Sequence, residues 1–270
     1  MARPLAFLSD LGIRDETVGV CHAVMRRIAP DAAIIDVGHG VPPLDIRSGA
    51  LTLLQALPYL PDDAVVVAVV DPGSGTDRAA LAVRTVKDRL MVGPDNGLLS
   101  LAWAQDGGVR EAVSITAPEV LVHPVSPVLN ARDVFSPGAA HLAAGMDLAR
   151  LGLPMDPGAL VAIELSTPDV GQGRLAGEVL DVDRFGNVRL NVRAADLEAA
   201  GLAPGATLEI ASTAAGSRAR RVTTYGEVQE GECGALQDAW GWLSIIRFGA
   251  SAADLLNVSV GDPVWVTAAD

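Results

Sequence analysis

The sequence predicts an α/β domain with a mainly parallel sheet, followed by a small antiparallel β-barrel domain. Up to about residue 150, short runs of Val, Ala and Leu alternate with helix-like segments, which is typical of a parallel sheet covered by helices. Half of the 270 residues are hydrophobic but only 4% are aromatic, as expected for Val-rich strands and Ala-rich helices. Between residues 152 and 173, prolines and glycines accumulate and helical periodicity becomes scarce beyond them. We therefore place a domain boundary near residue 165, with an α/β domain at residues 1–165 and a β domain at residues 166–270.

The elements of the first domain follow from apolar runs and helical spacing. Strands are predicted at residues 5–9, 33–37, 64–70, 80–86, 90–92 and 112–115. Helices are predicted at residues 15–29, 98–104 and 137–144, and a further helix is predicted to begin at Asp45, which can cap it. The first helix carries Val18, Cys21 and Met25 at helical spacing and ends at Pro30. The run at 64–70 is uninterrupted, which indicates a strand buried on both faces.

The elements of the second domain are short strands separated by turns. Strands are predicted at residues 175–182, 188–192, 207–211, 220–228, 242–247 and 263–267. Turns such as residues 185–187 separate them, and this pattern is typical of a compact barrel or sandwich.

Charge and cysteine content exclude several functions. The formal net charge of −13 argues against a general nucleic-acid or anionic-membrane surface and favours a cationic small molecule over an anionic one. Cys21 and Cys233 have no ligand-like spacing, so we expect neither a disulfide framework nor a zinc site. No stretch is long and apolar enough for export or for a membrane-spanning helix. These features predict a cytoplasmic protein.

Polar residues follow three of the predicted strands. Residues 71–78 run from Asp71 to Arg78 through a proline and two glycines, directly after the buried strand at 64–70. Asp10 follows the first strand, and residues 94–97 follow another. The carboxyl edge of an open α/β sheet is where ligands bind, and an acceptor pair there suits the vicinal diol of a ribose. Asp71 and Arg78 could equally be a structural turn and ion pair, and Asp10 alone could be a helix cap.

The histidines indicate no metal centre, because none has a second histidine at metal-ligand spacing. His22 and His141 fall in helical patterns, His39 follows a strand, and His123 lies in a proline-rich loop. The sequence contains no nucleophile elbow, lysine-type phosphate loop or dinucleotide fingerprint. The groups left for catalysis are Asp, Arg, Asn, Ser and bound water.

Six motifs in order resemble those of the S-adenosylmethionine (SAM) hydroxide adenosyltransferases, relatives of the fluorinases and chlorinases. The motifs are Phe7-Leu8-Ser9-Asp10-Leu11-Gly12, Asp36-Val37-Gly38-His39, Val70-Asp71-Pro72-Gly73-Ser74-Gly75, Pro94-Asp95-Asn96-Gly97-Leu98-Leu99, Arg132-Asp133-Val134-Phe135-Ser136-Pro137 and Phe185-Gly186-Asn187-Val188. The resemblance extends from about residue 5 to about residue 265 and implies an α/β domain followed by a small β barrel.

The resemblance implies that water or hydroxide displaces methionine from C5′ of SAM, giving adenosine. A sulfonium leaves as a neutral thioether, so neither a general acid nor a cofactor is required. Asp71 falls at the family position that orients the water, and Arg78 at the position that holds this Asp. The halogenating relatives lack this Asp, so its presence favours hydrolysis over halide transfer.

One catalytic position departs from the family pattern, since Asn130 stands where the family has a histidine. An amide can hydrogen-bond a water but cannot take up and release a proton near neutral pH. The expectation is therefore a SAM hydrolase with Asp71, Arg78 and Asn130 as its catalytic group. The alternatives are an adenosine- or SAM-binding protein with weak or no catalysis and, with Asp71 counting against it, SAM-dependent halide transfer.

The resemblance also implies substrate contacts. These are Asp10 at the ribose with Ser74 beside it, Asp183, Phe185 and Asn187 at methionine or adenine, and Ser244, Arg247 and Gly249 in the adenine pocket. Phe185 could instead belong to the core of the β domain. A family serine that contacts methionine is Ala239 here. In the family the site lies between the α/β domain of one subunit and the β domain of its neighbour in a homotrimer.

Overall fold

The computed structural model describes residues 2–269, and the chain divides into two compact units, Met1–Glu164 and Leu165–Asp270. The first unit contains one seven-stranded sheet and four α-helices. Its strands are β1 Leu5–Ser9, β2 Ile34–Gly38, β3 Val65–Val69, β4 Ala80–Thr85, β5 Leu90–Pro94, β6 Val109–Ile115 and β7 Gly152–Met155, and its helices are α1 Thr17–Ile28, α2 Ile46–Ala56, α3 Ser100–Gln105 and α4 Ser136–Ala143.

The strand order of this sheet is β2-β1-β3-β5-β4-β6-β7. Strands β2, β1, β3 and β5 pair in parallel, whereas β4 is antiparallel to both β5 and β6, and β7 is antiparallel to β6. Five of the seven strands therefore run in the same direction, and the prediction of an α/β domain with a mainly parallel sheet is confirmed.

Helices cover both faces of the sheet, as the strand sequences require. In β1, Leu5 and Phe7 pack with residues of α1 and α4 in one apolar core, while Ala6 and Leu8 pack with residues of α2 and α3 in another. Because successive side chains of a strand point to opposite faces, both faces of this strand must be apolar. This double burial explains why β1 and β3 are unbroken apolar runs.

The second unit is a closed β-barrel, which confirms the predicted barrel domain. Its strands are β8 Asp169–Gly171, β9 Arg174–Val182, β10 Val188–Arg193, β11 Thr207–Ala211, β12 Gly216–Arg221, β13 Cys233–Gln237, β14 Trp242–Arg247 and β15 Pro263–Ala268, with helices α5 Ala194–Ala199 and α6 Ala252–Leu256. The strand order β10-β14-β13-β12-β11-β15-β9 is closed by pairing of β9 with β10, and β8 adds to β9 outside this ring. Closure removes exposed strand edges.

One strand prediction in the barrel is wrong. Residues 220–228 do not form a single strand, because β12 ends at Arg221 and a 3₁₀ turn at Tyr225–Glu227 follows. Hydrogen bonds from Thr223 and Thr224 to the Glu227 carboxylate stabilise this turn. After this turn comes β13, a strand that was not predicted, and it pairs in parallel with β12. Among the described residues, no helix is long and apolar enough to cross a membrane.

Candidate active site

Asp10 and Asp71 follow neighbouring parallel strands, β1 and β3. From β1 the chain goes to β2 on one side, and β3 then pairs with β1 on the other side. This reversal of strand order opens a crevice at the carboxyl ends of the two strands, the usual ligand position in an open α/β sheet. The two carboxylates predicted at strand ends therefore lie at the point of the sheet best suited to bind a ligand.

The loop after β3 holds Asp71 against Arg78. Nη2 of Arg78 donates to Oδ2 of Asp71 at 2.5 Å, and the hydroxyl of Ser74 donates to the same oxygen at 3.0 Å. The chain can turn back so tightly because Gly75 adopts a φ of +82°, which glycine tolerates and other residues rarely do. The structure thus brings together three of the predicted site residues in one loop.

The second oxygen of Asp71 is the most informative atom of this site. The Asp71 side chain is only 4% exposed, and its Oδ1 is buried without a hydrogen-bond partner among residues 2–269. A buried carboxylate oxygen normally has a partner, and leaving one without costs about 1–3 kcal/mol or more. Such an acceptor suits a water molecule or a substrate hydroxyl, so this oxygen marks the place where a ligand would bind.

A buried aromatic ring contacts the Arg78 guanidinium. The guanidinium carbon of Arg78 lies 5.4 Å from the centroid of the fully buried Phe135 ring, within the range of a cation–π contact. Phe135 ends a π-helical turn, Ala131–Phe135, a rare geometry that often occurs at functional sites. Phe135 was not predicted as part of the site; its motif was noticed, but only the fold shows which loop it contacts.

Asn130 directly precedes this π-helical turn and is half-buried. The neighbouring Pro127 carbonyl packs closely on Gly75, where a Cβ atom would lie 3.3 Å from its oxygen. The segment that carries Asn130 therefore packs on the loop that carries Asp71 and Arg78. Within the described part of the chain, the Asn130 side chain makes no hydrogen bond to Asp71 or Arg78.

The Arg132–Asp133 pair anchors the Asn130 segment. The two carboxylate oxygens of the fully buried Asp133 accept hydrogen bonds from Arg132 at 2.6 and 2.8 Å, and one of them also accepts from the Ser126 amide at 2.8 Å. Burial raises the pKa of Asp133, but the hydrogen bonds from Arg132 and Ser126 outweigh it and lower the pKa below its usual value. Asp133 is therefore a charged anchor for residues 126–133.

Asp10 connects the crevice to the next loop. Its Oδ2 accepts a hydrogen bond from the amide of Leu44 at 2.9 Å, and Leu44 adopts a φ of 67°, which is strained for a leucine. The other strand-end segment, residues 94–97, has a structural role. The Asn96 amide group donates to the Val70 carbonyl, and Asp95 accepts from the amide of Val161. The Asn96 hydrogen bond fixes the chain at the end of β3, and the Asp95 hydrogen bond holds the segment around Val161.

The barrel unit contains a cleft of about 650 Å³ with exposed aromatic rings, which we call the aromatic cleft. Its lining residues are Asp183, Phe185, Asn187, Tyr225, Ile246, Arg247, Phe248, Gly249, Ala250 and Ser251. Its size lies within the usual range for small-molecule sites. Five of the six predicted binding residues of the barrel meet here, and Tyr225, Phe248 and Ser251 are added by the structure. Aromatic side chains next to glycines at 225–226 and 248–249 were the available signal.

The turn at residues 183–187 shapes this cleft. Asp183 accepts hydrogen bonds from the amides of Phe185 and Asn187 and from the Asn187 side chain, so both of its oxygens serve the turn. Phe185 is 65% exposed, which excludes the alternative that it belongs to the barrel core. Gly186 is required because its φ is +81° and a Cβ atom would lie 2.3 Å from the Ser251 hydroxyl.

Ser244 is the predicted binding residue that does not line the cleft. It lies in β14 opposite Arg189 and Leu236 and is only 5% exposed. Its side chain shares a face of the strand with Ile246, which does line the cleft, because residues two apart in a strand point the same way.

Comparisons with known proteins identify the family and the fold of this chain. The family model for the SAM hydroxide adenosyltransferase N-terminal domain matches residues 5–152, and the model for the C-terminal domain matches residues 177–265. A solved structure of an uncharacterized conserved protein from Thermotoga maritima is similar over 97% of this chain and 99% of that chain, with a TM-score of 0.90 and 32% identity.

Relatives with a named activity cover nearly the whole chain. An (R)-S-adenosyl-L-methionine hydrolase of Salinispora tropica is 43% identical over 98% of this chain and 97% of that protein, and one of Thermus thermophilus is 38% identical over 97% and 98%. A fluorinase of Nocardia brasiliensis is 29% identical over 98% and 97%. These matches, together with the fold, place the chain in the class of proteins that transfer the adenosyl group of SAM. The chain belongs to the SAM hydroxide adenosyltransferase family.

Proposed function

We propose that this chain hydrolyses SAM to adenosine and methionine by attack of water on C5′. The relatives with the higher identities are named SAM hydrolases, whereas the fluorinase is more distant at 29% identity. The observation that carries the proposal at the level of atoms is Asp71, whose Oδ2 is held by Arg78 and Ser74 while Oδ1 is buried and free to accept.

The reaction follows from this arrangement. The water donates a hydrogen bond to Oδ1 of Asp71, which fixes the water oxygen in line with the C5′–S bond. A new C5′–O bond forms as the C5′–S bond breaks, and its electron pair leaves on sulfur as neutral methionine thioether. The proton of the attacking water passes to Asp71 or to solvent. The reaction requires no cofactor, and Arg78 keeps Asp71 oriented throughout.

Substrate binding is assigned to both units. Asp10 suits the ribose hydroxyls, with Ser74 beside it, and Asn130 suits a hydrogen bond to the water. In the barrel, the exposed rings of Phe185 and Phe248 offer stacking surfaces for adenine, and Arg247 lines the same cleft as part of the adenine pocket.

The remaining assigned contacts come from Asp183, Asn187, Ser244 and Gly249. Asp183 and Asn187 shape the turn of the aromatic cleft, and Gly249 lines the cleft directly. Ser244 is assigned a supporting position next to Ile246, on the same face of β14.

We extend the proposal to assembly and location. The residues assigned to substrate lie on two separate units, which supports a homotrimer whose sites combine the α/β unit of one subunit with the barrel of its neighbour. A cytoplasmic location is supported by Cys21 and Cys233, which are buried free thiols.

A second candidate function is an adenosine- or SAM-binding protein with little turnover. Asn130 favours it, because an amide cannot act as a proton acceptor near neutral pH. Under this hypothesis the crevice and the aromatic cleft bind the nucleoside, but Asp71 does not activate water fast enough for catalysis.

Incubation of the purified protein with SAM tests the two functions. We expect adenosine and methionine in equal amounts by chromatography, with ¹⁸O from labelled water at the 5′ position of adenosine. Chloride should leave the products unchanged; a 5′-chloro nucleoside would instead indicate halide transfer. Binding of adenosine by calorimetry without any product from SAM would overturn the hydrolase in favour of the binding protein.

The Asp71→Asn variant tests the mechanism separately. We expect the turnover number to fall about 10²-fold or more while KM changes little, because the amide keeps the shape but cannot take up the proton. Ser74→Ala, which removes one donor from the same carboxylate, should have a smaller effect. Equal turnover in Asp71→Asn and the parent protein would refute the role of Asp71.

A further inference from the structure

The side chain of His22, on α1, meets those of Asp36, in β2, and His39, directly after β2. Nε2 of His22, on α1, lies 2.8 Å from Oδ1 of Asp36, and Nε2 of His39 lies 3.0 Å from the same oxygen. All three of these atoms lie within 4.8 Å of one another. Asp36 and His39 stand three residues apart in one motif, but the spacing of the histidines gave no sign that His22 on α1 joins them.

The two distances to Oδ1 of Asp36 match those between ligand atoms of one metal ion. Zn²⁺ binds histidine nitrogen and carboxylate oxygen at about 2.0–2.2 Å, so neighbouring ligand atoms of a tetrahedral site lie about 3 Å apart. Two neutral imidazoles and a carboxylate also give a net charge that suits a divalent cation. The ligand set favours a late transition metal over Mg²⁺ or Ca²⁺, which prefer oxygen alone.

A buried hydroxyl supports this ligand geometry. Nδ1 of His39 lies 2.7 Å from Oγ of Ser9, which is fully buried. When the Ser9 oxygen accepts a hydrogen bond from Nδ1–H, the lone pair of Nε2 is free and directed toward Asp36. Metal-binding histidines almost always have such a partner on their second nitrogen. Phe7 packs edge-on against the His39 ring with centroids 4.7 Å apart, which further fixes its orientation.

The cluster is open to solvent on one side. The side chain of His39 is 5% exposed, whereas those of His22 and Asp36 are 28% and 48% exposed. An ion can therefore enter, and water can complete its coordination. We propose that His22, Asp36 and His39 bind one divalent transition-metal ion of the Zn²⁺ type.

The site would connect to the crevice through the backbone. The carbonyl of His39 accepts a hydrogen bond from the amide of Gly12 at 2.8 Å, two residues after Asp10. Binding of an ion would thus tie α1, β2 and the Asp10 loop together. The role that follows is structural, since none of the three ligands belongs to the group assigned to SAM.

Equilibrium dialysis of the tag-free, chelator-treated full-length protein against Zn²⁺ tests the site, with bound metal measured by mass spectrometry. We expect one Zn²⁺ per chain, and a loss of at least tenfold in affinity in His22→Gln and in Asp36→Asn. Both positions are partly exposed, so these variants should fold, and thermal melting checks that they do. Co²⁺ in place of Zn²⁺ should give visible absorption bands that disappear in the same variants.

His123→Gln is the matched control, because it removes a histidine outside the cluster. It should retain the affinity of the parent protein. The proposal is overturned if the parent protein binds no stoichiometric Zn²⁺, or if His22→Gln and Asp36→Asn bind it as the parent does. SAM turnover measured with and without Zn²⁺ keeps this result separate from the proposed hydrolysis.

Discussion

The two carboxylate oxygens of Asp71 differ in their hydrogen-bond partners. Arg78 and Ser74 both donate to Oδ2, so that oxygen is committed to holding the loop. Oδ1 is buried and unpartnered, a state that proteins rarely maintain without a ligand. The loop from Asp71 to Arg78 is therefore a structural turn with an ion pair, and its unpartnered oxygen supports the ligand-binding role that we propose for it.

Asn130 is the residue at which this chain departs from the family pattern, and Asn130→His tests its importance. We expect the variant to keep or raise the turnover number, because imidazole can take up a proton that an amide cannot. The pH profile of turnover should gain a dependence near the pKa of the new histidine. Steady-state kinetics across neutral pH measure both effects.

Asn130→Ala provides the comparison for this variant. If the amide orients water, Asn130→Ala should turn over more slowly than the parent protein. A parent-like rate in Asn130→Ala together with a large loss in Asn130→His would contradict a hydrogen-bonding role for this position.

At the scale of elements, the segment before α4 depends on one buried anion. The carboxylate of Asp133 accepts hydrogen bonds from Arg132 and Ser126, and the residue is fully buried. Its anchoring of residues 126–133 holds the segment that carries Asn130, which packs on the loop from Asp71 to Arg78 through Pro127 and Gly75. A local change at Asp133 should therefore affect both stability and turnover.

Asp133→Asn should lower the free energy of unfolding by about 2 kcal/mol at neutral pH, because charge-assisted hydrogen bonds are lost. The folded-state pKa of Asp133 is lowered from 3.8, so its contribution is complete above that pH and disappears as pH falls through the folded value. The difference between the parent protein and Asp133→Asn should therefore shrink below about pH 4. Urea unfolding from neutral to acidic pH measures it.

Asp88→Asn is the control, since Asp88 pairs with Arg110 in an exposed position. Exposed ion pairs contribute about 0–1 kcal/mol, so this variant should remain close to the parent protein at every pH. An equal effect in Asp88→Asn and Asp133→Asn would show that burial of the Asp133 pair has no special importance.

At the scale of the whole molecule, the proposed trimer predicts complementation between inactive variants. Asp71→Asn impairs the α/β unit, and Arg247→Ala impairs the barrel unit. If each site takes one unit from each of two subunits, trimers assembled from equal amounts of both variants should contain about a quarter intact sites. Turnover of co-refolded mixtures, with the oligomeric state checked by light scattering, measures this recovery.

Mixtures of Asp71→Asn with Asp10→Ala are the matched control, because both changes lie on the α/β unit and no mixed site is intact. They should recover no activity. A monomer by light scattering, or no recovery in the first mixture, would overturn the shared site while leaving the hydrolase proposal to its own test.

The fold class and the first half of the site could be predicted from the sequence. Strands β1 and β3 are buried on both faces, so their residues form apolar runs that end abruptly at Asp10 and Asp71. Such local patterns reflect burial directly. The strand β13 was missed because Cys233–Gln237 is short and follows a turn whose hydrogen bonds involve Glu227, a feature that apolar periodicity does not reveal.

The sequence by itself determined the α/β domain, a following domain of short strands, the strand-end carboxylates and the Asp71–Arg78 loop, because these depend on local burial and turn chemistry. Closure of the short strands into a barrel depends on strand pairing in the tertiary structure. The tertiary structure decided which Asp71 oxygen is free, that Phe185 faces a cleft, and that His22, Asp36 and His39 meet. The first depends on side-chain orientation within one loop, and the other two depend on contacts between separate segments of the chain. Such contacts arise only when helices and strands pack, and no local pattern encodes them.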